Sequence, residues 1–344
     1  MSTLRMMEIV VPEDRAGELS DLLGEDEELF GVWTDPLDEG LVRARVLLPT
    51  GHTEGLSDRL SEHFTGADGF RIVLFAVEAT VPRVEEPEEP EADEAGAPGA
   101  EAEAPPEHQP LRVSREELYA DLQEASGLSG VYLVTVVLST LVAALGLVRG
   151  DIAVIIGAMV IAPLLGPNVA LALAVTLGDV ALGARALKTI GAGVATAAAV
   201  SVGMGLLLTV DPSVPAIASR TSASFSDLAL ALAAGSAGAL AFTTGIPTAL
   251  IGVMVAVALL PPLATTGLLL GSGQVGPAAG AGLLVLTNVA CINLAGIVTF
   301  LAQRVRPRTW WEEERAKRAT KIAMALWLAV LAVLAAAIFL IWYL

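Results

Sequence analysis

Asn168, Asn288 and Asn293, together with Thr265, are polar side chains set in stretches that are otherwise almost wholly apolar. Amides and hydroxyls in such surroundings do one of two things. They bind a small polar solute through hydrogen bonds, or they link neighbouring helices. Arg220 and Ser222 belong to the hydroxyl-rich run SRTSASFSD (219–227), which adds donors suited to a polar or anionic solute. In the same run Ser224 or Ser226 could simply cap the helix that follows. Enzymatic chemistry has little to work with here. His52, His63 and His108 all lie outside the apolar part, Cys291 is the single cysteine, and no paired acids or metal-ligand spacings occur. No catalytic residue, metal or cofactor is expected, and the chain reads as a non-enzyme.

The apolar part carries prolines at telling places. Proline lacks an N–H and clashes with the preceding turn, so Pro163, Gly166 and Pro167, and again Pro261 and Pro262, are expected helix breaks. The two sets are related. IGAMVIAPLLGP (156–167) aligns with IGVMVAVALLPP (251–262) at an offset of 95 residues, with seven identities in twelve positions. Ala144/Ala239, Leu145/Leu240 and Gly150/Gly245 extend the match upstream. Broken helices in corresponding halves of a membrane protein point to a binding site, because unwound backbone can only face protein or water.

A bilayer core needs about 20 apolar residues per helix. On that basis the sequence predicts seven spans, near 130–148, 152–177, 187–209, 226–243, 247–270, 278–302 and 321–343. Three spans per repeat unit is an odd number, so the second unit enters the membrane inverted, giving a three-plus-three inverted repeat (130–303) plus a seventh span (321–344). The basic stretch 304–320, extended by Lys321, holds the densest cluster of Arg and Lys in the chain and is expected to be a cytoplasmic loop. The N-terminus is then cytoplasmic and the C-terminus external. The start of the chain shows no signal peptide pattern.

What precedes the membrane part is very different. Residues 1–82 hold 17 acids and 6 bases, and residues 83–110 hold 10 acids and 1 base. The rest of the chain, 11 acids against 13 bases, is nearly balanced, so the formal net charge of -18 belongs to the N-terminal part. Such acidity would repel nucleic acid. In 1–82 the periodicity alternates between strand and helix, with strands at 4–12, 28–36, 41–49 and 70–82 and helices at 13–25 and 52–64. The order βαββαβ is that of an α+β ferredoxin-like domain. Residues 83–113, acidic and proline-rich, predict a disordered tether. Residues 114–129 predict an amphipathic lead-in helix, with Ser114 and Glu117 spaced as a capping box.

GAMVIAPLLGPNVALALA, SASFSDLALALAAGSAGALA, VALLPPLATTGLLLG and LTNVACINLAGIVTF resemble the motifs of a prokaryotic membrane family catalogued as "domain of unknown function 389". The resemblance covers about 130–305, and the start LRMMEIVVPED also resembles the family's N-terminal segment. It implies a multi-pass protein of a prokaryotic plasma membrane and brings no activity with it. The functional expectation therefore rests on the residues. It is a transporter or facilitator for a small polar, anionic included, solute, with the site between the broken helices near Asn168, Thr265, Asn288 and Asn293. The alternative is a membrane-anchored sensor or scaffold whose head binds a partner or ligand. The bilayer, a small solute and further copies of the chain are the expected partners.

Overall fold

Alternation in LRMMEIVVP makes Leu4–Pro12 a strand, β1, with Met7, Ile9 and Val11 fully buried on one face. The computed structural model describes residues 4–26, 28–77, 80, 113–244, 248–307 and 310–343. These form two compact units, Met1–Glu117 and Leu118–Leu344.

In the first unit β1 is followed by helix α1 (Ala16–Gly24), strands β2 (Gly31–Leu37) and β3 (Leu41–Pro49), helix α2 (Thr53–Phe64) and strand β4 (Arg71–Val77). All strand pairs are antiparallel, and the sheet order is β2-β3-β1-β4. Leu19 and Leu23 of α1, with Leu56, Leu60 and Phe64 of α2, cover one face of the sheet. The expected start of the first helix at 13 moves to Ala16 because Glu13–Arg15 forms a tighter 3₁₀ turn. Asp26, between α1 and β2, ties the unit together through His52 Nε2 (2.8 Å) and the Arg59 guanidinium. Burial pushes its carboxyl upward, but the hydrogen bonds and charge of His52 and Arg59 outweigh this and hold it below the usual carboxylate range.

The expected tether lies outside the described residues except for Val113. Helix α3 (Arg115–Ala125) begins where the capping box was expected. Ser114 Oγ accepts the Glu117 N–H at 3.2 Å. The reciprocal half of the box does not form. The Glu117 carboxylate instead takes both Nε (3.0 Å) and Nη2 (2.8 Å) of Arg5.

The second unit is helical: α4 (Gly130–Arg149), α5 (Ile152–Ile161), α6 (Leu165–Leu177), α7 (Val180–Leu207), the short α8 (Pro215–Ala218), α9 (Phe225–Thr244), α10 (Thr248–Gly271), α11 (Val275–Ala302) and α12 (Trp310–Tyr343). Among the described residues, α4, α7, α9 and α11 are long and apolar enough to cross a membrane, and α5 with α6 makes a fifth if the pair, bent by 53°, is one span. The acids at their ends are caps. Asp151 accepts from the N–H groups of Ala153 and Val154, and Asp179 from those of Ala181 and Leu182. Two boundaries differ from expectation by more than three residues. Helix α7 starts seven residues before 187, on the Asp179 cap. Helix α12 starts at Trp310, so the basic residues from Arg315 onward lie on a helix and not in a loop.

The 95-residue offset reappears in the elements. Helix α4 shifted by 95 gives the bounds of α9, and α7 gives those of α11. Gly178 (φ 69°) and Gly273 (φ 80°) occupy equivalent left-handed caps, the conformation glycine adopts without a Cβ clash. The hydrogen bonds there also match: Asp179 N–H to Ala174 O and Gln274 N–H to Leu269 O, both 2.8 Å.

Candidate functional site

The break between α5 and α6 is made by one proline. Ala162 precedes Pro163 and leaves the helix for an extended conformation (ψ 121°), as the residue before a proline tends to. Gly166 and Pro167 do not break the helix. They sit in the first turn of α6, where a missing N–H costs no intrahelical bond. Gly166 allows close approach, since a Cβ there would lie 2.7 Å from the Cβ of Ala125 at the end of α3.

The expected second break is absent. Helix α10 runs through Pro261 and Pro262. The position equivalent to Pro163 is Ala258, so nothing forces the chain out of the helix there. Pro262 still deprives the Ala258 carbonyl of its normal i+4 donor. The Asn288 side chain supplies the missing N–H, with Nδ2 at 2.6 Å from Ala258 O. An asparagine on α11 thus mends a proline defect on α10.

Of the expected site residues, the structure brings Asn168 and Asn293 together. Both are buried, at 2% and 0% exposure. Asn168 Nδ2 donates to Leu164 O at 2.8 Å, beside the break, and Asn293 Nδ2 donates to Val289 O at 2.9 Å. Asn293 Nδ2 also makes a longer contact of 3.4 Å to Asn168 Oδ1. Asn288 is buried on another face of α11, toward α10. Thr265 is fully buried on α10, seven residues or about 10 Å along the axis from Ala258. Among these expected site residues, three buried side-chain oxygens have no partner: Thr265 Oγ1, Asn288 Oδ1 and Asn293 Oδ1.

Arg220 and Ser222 stand apart from this group. Ser222 is exposed. Arg220 donates to Ala216 O and Ser219 Oγ, and burial pulls its pKa down while Asp227 opposes this. The following residue, Thr221, packs against Gly280, where a Cβ would lie 1.8 Å from Thr221 O. Gly280 is eight residues before Asn288, about 12 Å along α11. In the same loop Ser224 takes the cap position of α9, its N–H and Oγ donating to Asp227 Oδ2 at 2.8 and 2.6 Å.

Small residues set the seams that position these groups, a signal the proline pattern overshadowed. Ser201 and Gly205 of α7 lie against Gly267 and Gly271 of α10. A Cβ on Gly267 would meet Ser201 Oγ at 1.8 Å, and one on Gly271 would meet Val202 O at 2.2 Å. Such small-xxx-small pairs let backbones touch. The seam of α6 and α11 is its counterpart at the 95-residue offset, Gly296 against Ala172 at 2.9 Å matching Ser201 against Gly267. In each seam residue numbers rise together, so the two helices run in the same direction.

A family described as "domain of unknown function (DUF389)" matches residues 159–294. An uncharacterised protein of Methanocaldococcus jannaschii is 35% identical over 300 residues, covering 87% of this chain and 88% of that protein. The chain belongs to the domain of unknown function 389 family. The matched stretch contains the α5–α6 break and all six expected site residues. No solved structure matches the chain. Among the described residues no group of three His, Cys, Asp or Glu side chains could hold a metal ion.

Proposed function

We propose that this protein is a membrane transporter or facilitator for a small polar solute, with its site at the α5–α6 break. One observation carries the reading: a broken apolar helix pair adjoined by two buried, facing asparagines, one of which keeps an oxygen without a partner. Backbone at a break and a buried unsatisfied amide are both costly in an apolar interior. A polar passenger offsets that cost.

Finer features support the same reading. The equal element bounds, equivalent glycine caps and paired seams at the 95-residue offset support a three-plus-three inverted repeat with α12 outside it. Parallel seams between α6 and α11, and between α7 and α10, fit seven alternating spans, in which the second and sixth, and the third and fifth, share a direction. The basic residues around 304–321 then favour a cytoplasmic N-terminus and an external C-terminus in a prokaryotic plasma membrane. The sheet order of the first unit supports a ferredoxin-like head.

The test is a stabilisation screen on the purified, membrane-reconstituted chain with a panel of small polar solutes. A solute that raises the thermal midpoint of the wild type, but not of Asn168→Leu, identifies the passenger. Failure of every class of small polar solute, with the protein folded, would remove the support for a solute site.

A further inference from the structure

We infer that the Asn168–Asn293 pair binds a monovalent cation, so that the site proposed above takes a cation and not an anion. The inference deepens that reading and rests on it. Each amide of the pair gives one N–H to a backbone carbonyl, Asn168 to Leu164 O at 2.8 Å and Asn293 to Val289 O at 2.9 Å. These bonds fix the orientation of the side chains, because a flipped amide would set oxygen against oxygen. What the pair presents is therefore oxygen. Asn293 Oδ1 has no partner, and Asn168 Oδ1 has only the 3.4 Å contact from Asn293 Nδ2. At the pair an anion would meet two amide oxygens against one spare N–H, that of Asn168.

The break strengthens the argument. Helix α5 ends there, and the last carbonyls of a helix lack intrahelical donors and carry the negative end of its dipole. Pro163 has no N–H for the Met159 carbonyl, which takes the Ala162 N–H at 3.3 Å in a bond shared with Ala158 O. Asn168 reaches this segment through its bond to Leu164. Amide and backbone oxygens are the ligands of hard cations. Their neutrality selects for a single charge. No Asp, Glu, Lys or Arg occurs in 152–178 or 228–303, and divalent oxygen sites draw on carboxylates.

The experiment uses the intact chain in nanodiscs. Its thermal midpoint is measured in sodium, potassium and ammonium chloride against N-methylglucamine chloride at one ionic strength. One of the small cations should raise the midpoint by a few degrees, saturably, and Asn168→Leu should lose the response. Asn293→Asp keeps the oxygens and adds a charge, so it should respond at lower cation concentration and more strongly at high pH. Equal wild-type midpoints in all four salts overturn the inference. So does a response retained in Asn168→Leu, or one unchanged in Asn293→Asp. Failure here is distinguishable from failure of the transport reading, which is read separately from two-sided access to position 168. A cation-blind protein with that access is a transporter without this cation site.

Discussion

Asn288 offers a sharp test of how this helical unit is held together. Its Nδ2 serves the Ala258 carbonyl only because residue 262 is a proline. Asn288→Leu leaves that carbonyl without a donor in an apolar interior. An unsatisfied buried polar group costs about 1–3 kcal/mol, whereas hydrogen bonds between membrane helices average about 0.6 kcal/mol and reach about 1.7. Asn288 Oδ1 is itself unpartnered, and removing it returns part of the loss. A net destabilisation of about 1–2 kcal/mol follows. Pro262→Ala restores a backbone N–H four residues after Ala258, so in that background the same Asn288→Leu change should cost close to nothing. The assay is reversible unfolding in mixed micelles of the wild type, the two single variants and the double variant. A coupling of about 1–2 kcal/mol is expected. Additive effects, with Asn288→Leu costing the same in both backgrounds, would refute the mended-proline argument.

Gly267→Val and Gly271→Leu should each destabilise by about 1–3 kcal/mol through overpacking against Ser201 and Val202, and Gly296→Leu should do the same in the equivalent seam against Ala172; unfolding midpoints check all three. In the N-terminal unit, Asp26→Asn should lower amide protection measured by hydrogen exchange on the intact chain. Because the native Asp26 carboxyl lies below its ordinary value near 3.8, its stabilising contribution is complete at neutral pH and fades as pH falls below about 4, through the lower native value. The gap between wild type and Asp26→Asn should close over that window, and a gap independent of pH would contradict the His52–Asp26–Arg59 anchor. Reporter fusions at the two ends should place the N-terminus and Leu344 on opposite sides of the membrane; the same side for both would contradict seven spans.

The first unit was nearly all legible, because its apolar residues alternate cleanly between periods of two and 3.6. The 3₁₀ turn at Glu13–Arg15 displaced the start of the first helix, and the second strand begins at Gly31 and not at 28. In the second unit composition located the helices, and the offset of 95 located their correspondence. The prolines misled in part. Pro163 and Pro262 have the same intrinsic chemistry, but only Pro163 breaks its helix. The position equivalent to Pro163 holds Ala258, and the carbonyl that Pro262 leaves bare is served by Asn288, thirty residues away, which no local pattern reports. The polar residues were found as a set because polarity is rare in these stretches. That they divide into a facing pair, a mended carbonyl and a separate loop depends on which side of each helix they occupy, and so on packing. The glycines of the seams are illegible for a similar reason. In a sequence with 33 glycines, those that touch another backbone look like the rest.

The most direct test of the central claim is water access to the asparagine pair. Cys291 is the sole cysteine and is buried, so Cys291→Ser gives a background without thiols. In that background Asn168→Cys should react with a membrane-impermeant thiol reagent in right-side-out vesicles and also in inside-out vesicles, as a site alternately open to both sides requires. Labelling from neither side would mean that Asn168 and Asn293 only join α6 to α11, and labelling from one side alone would contradict passage through the break.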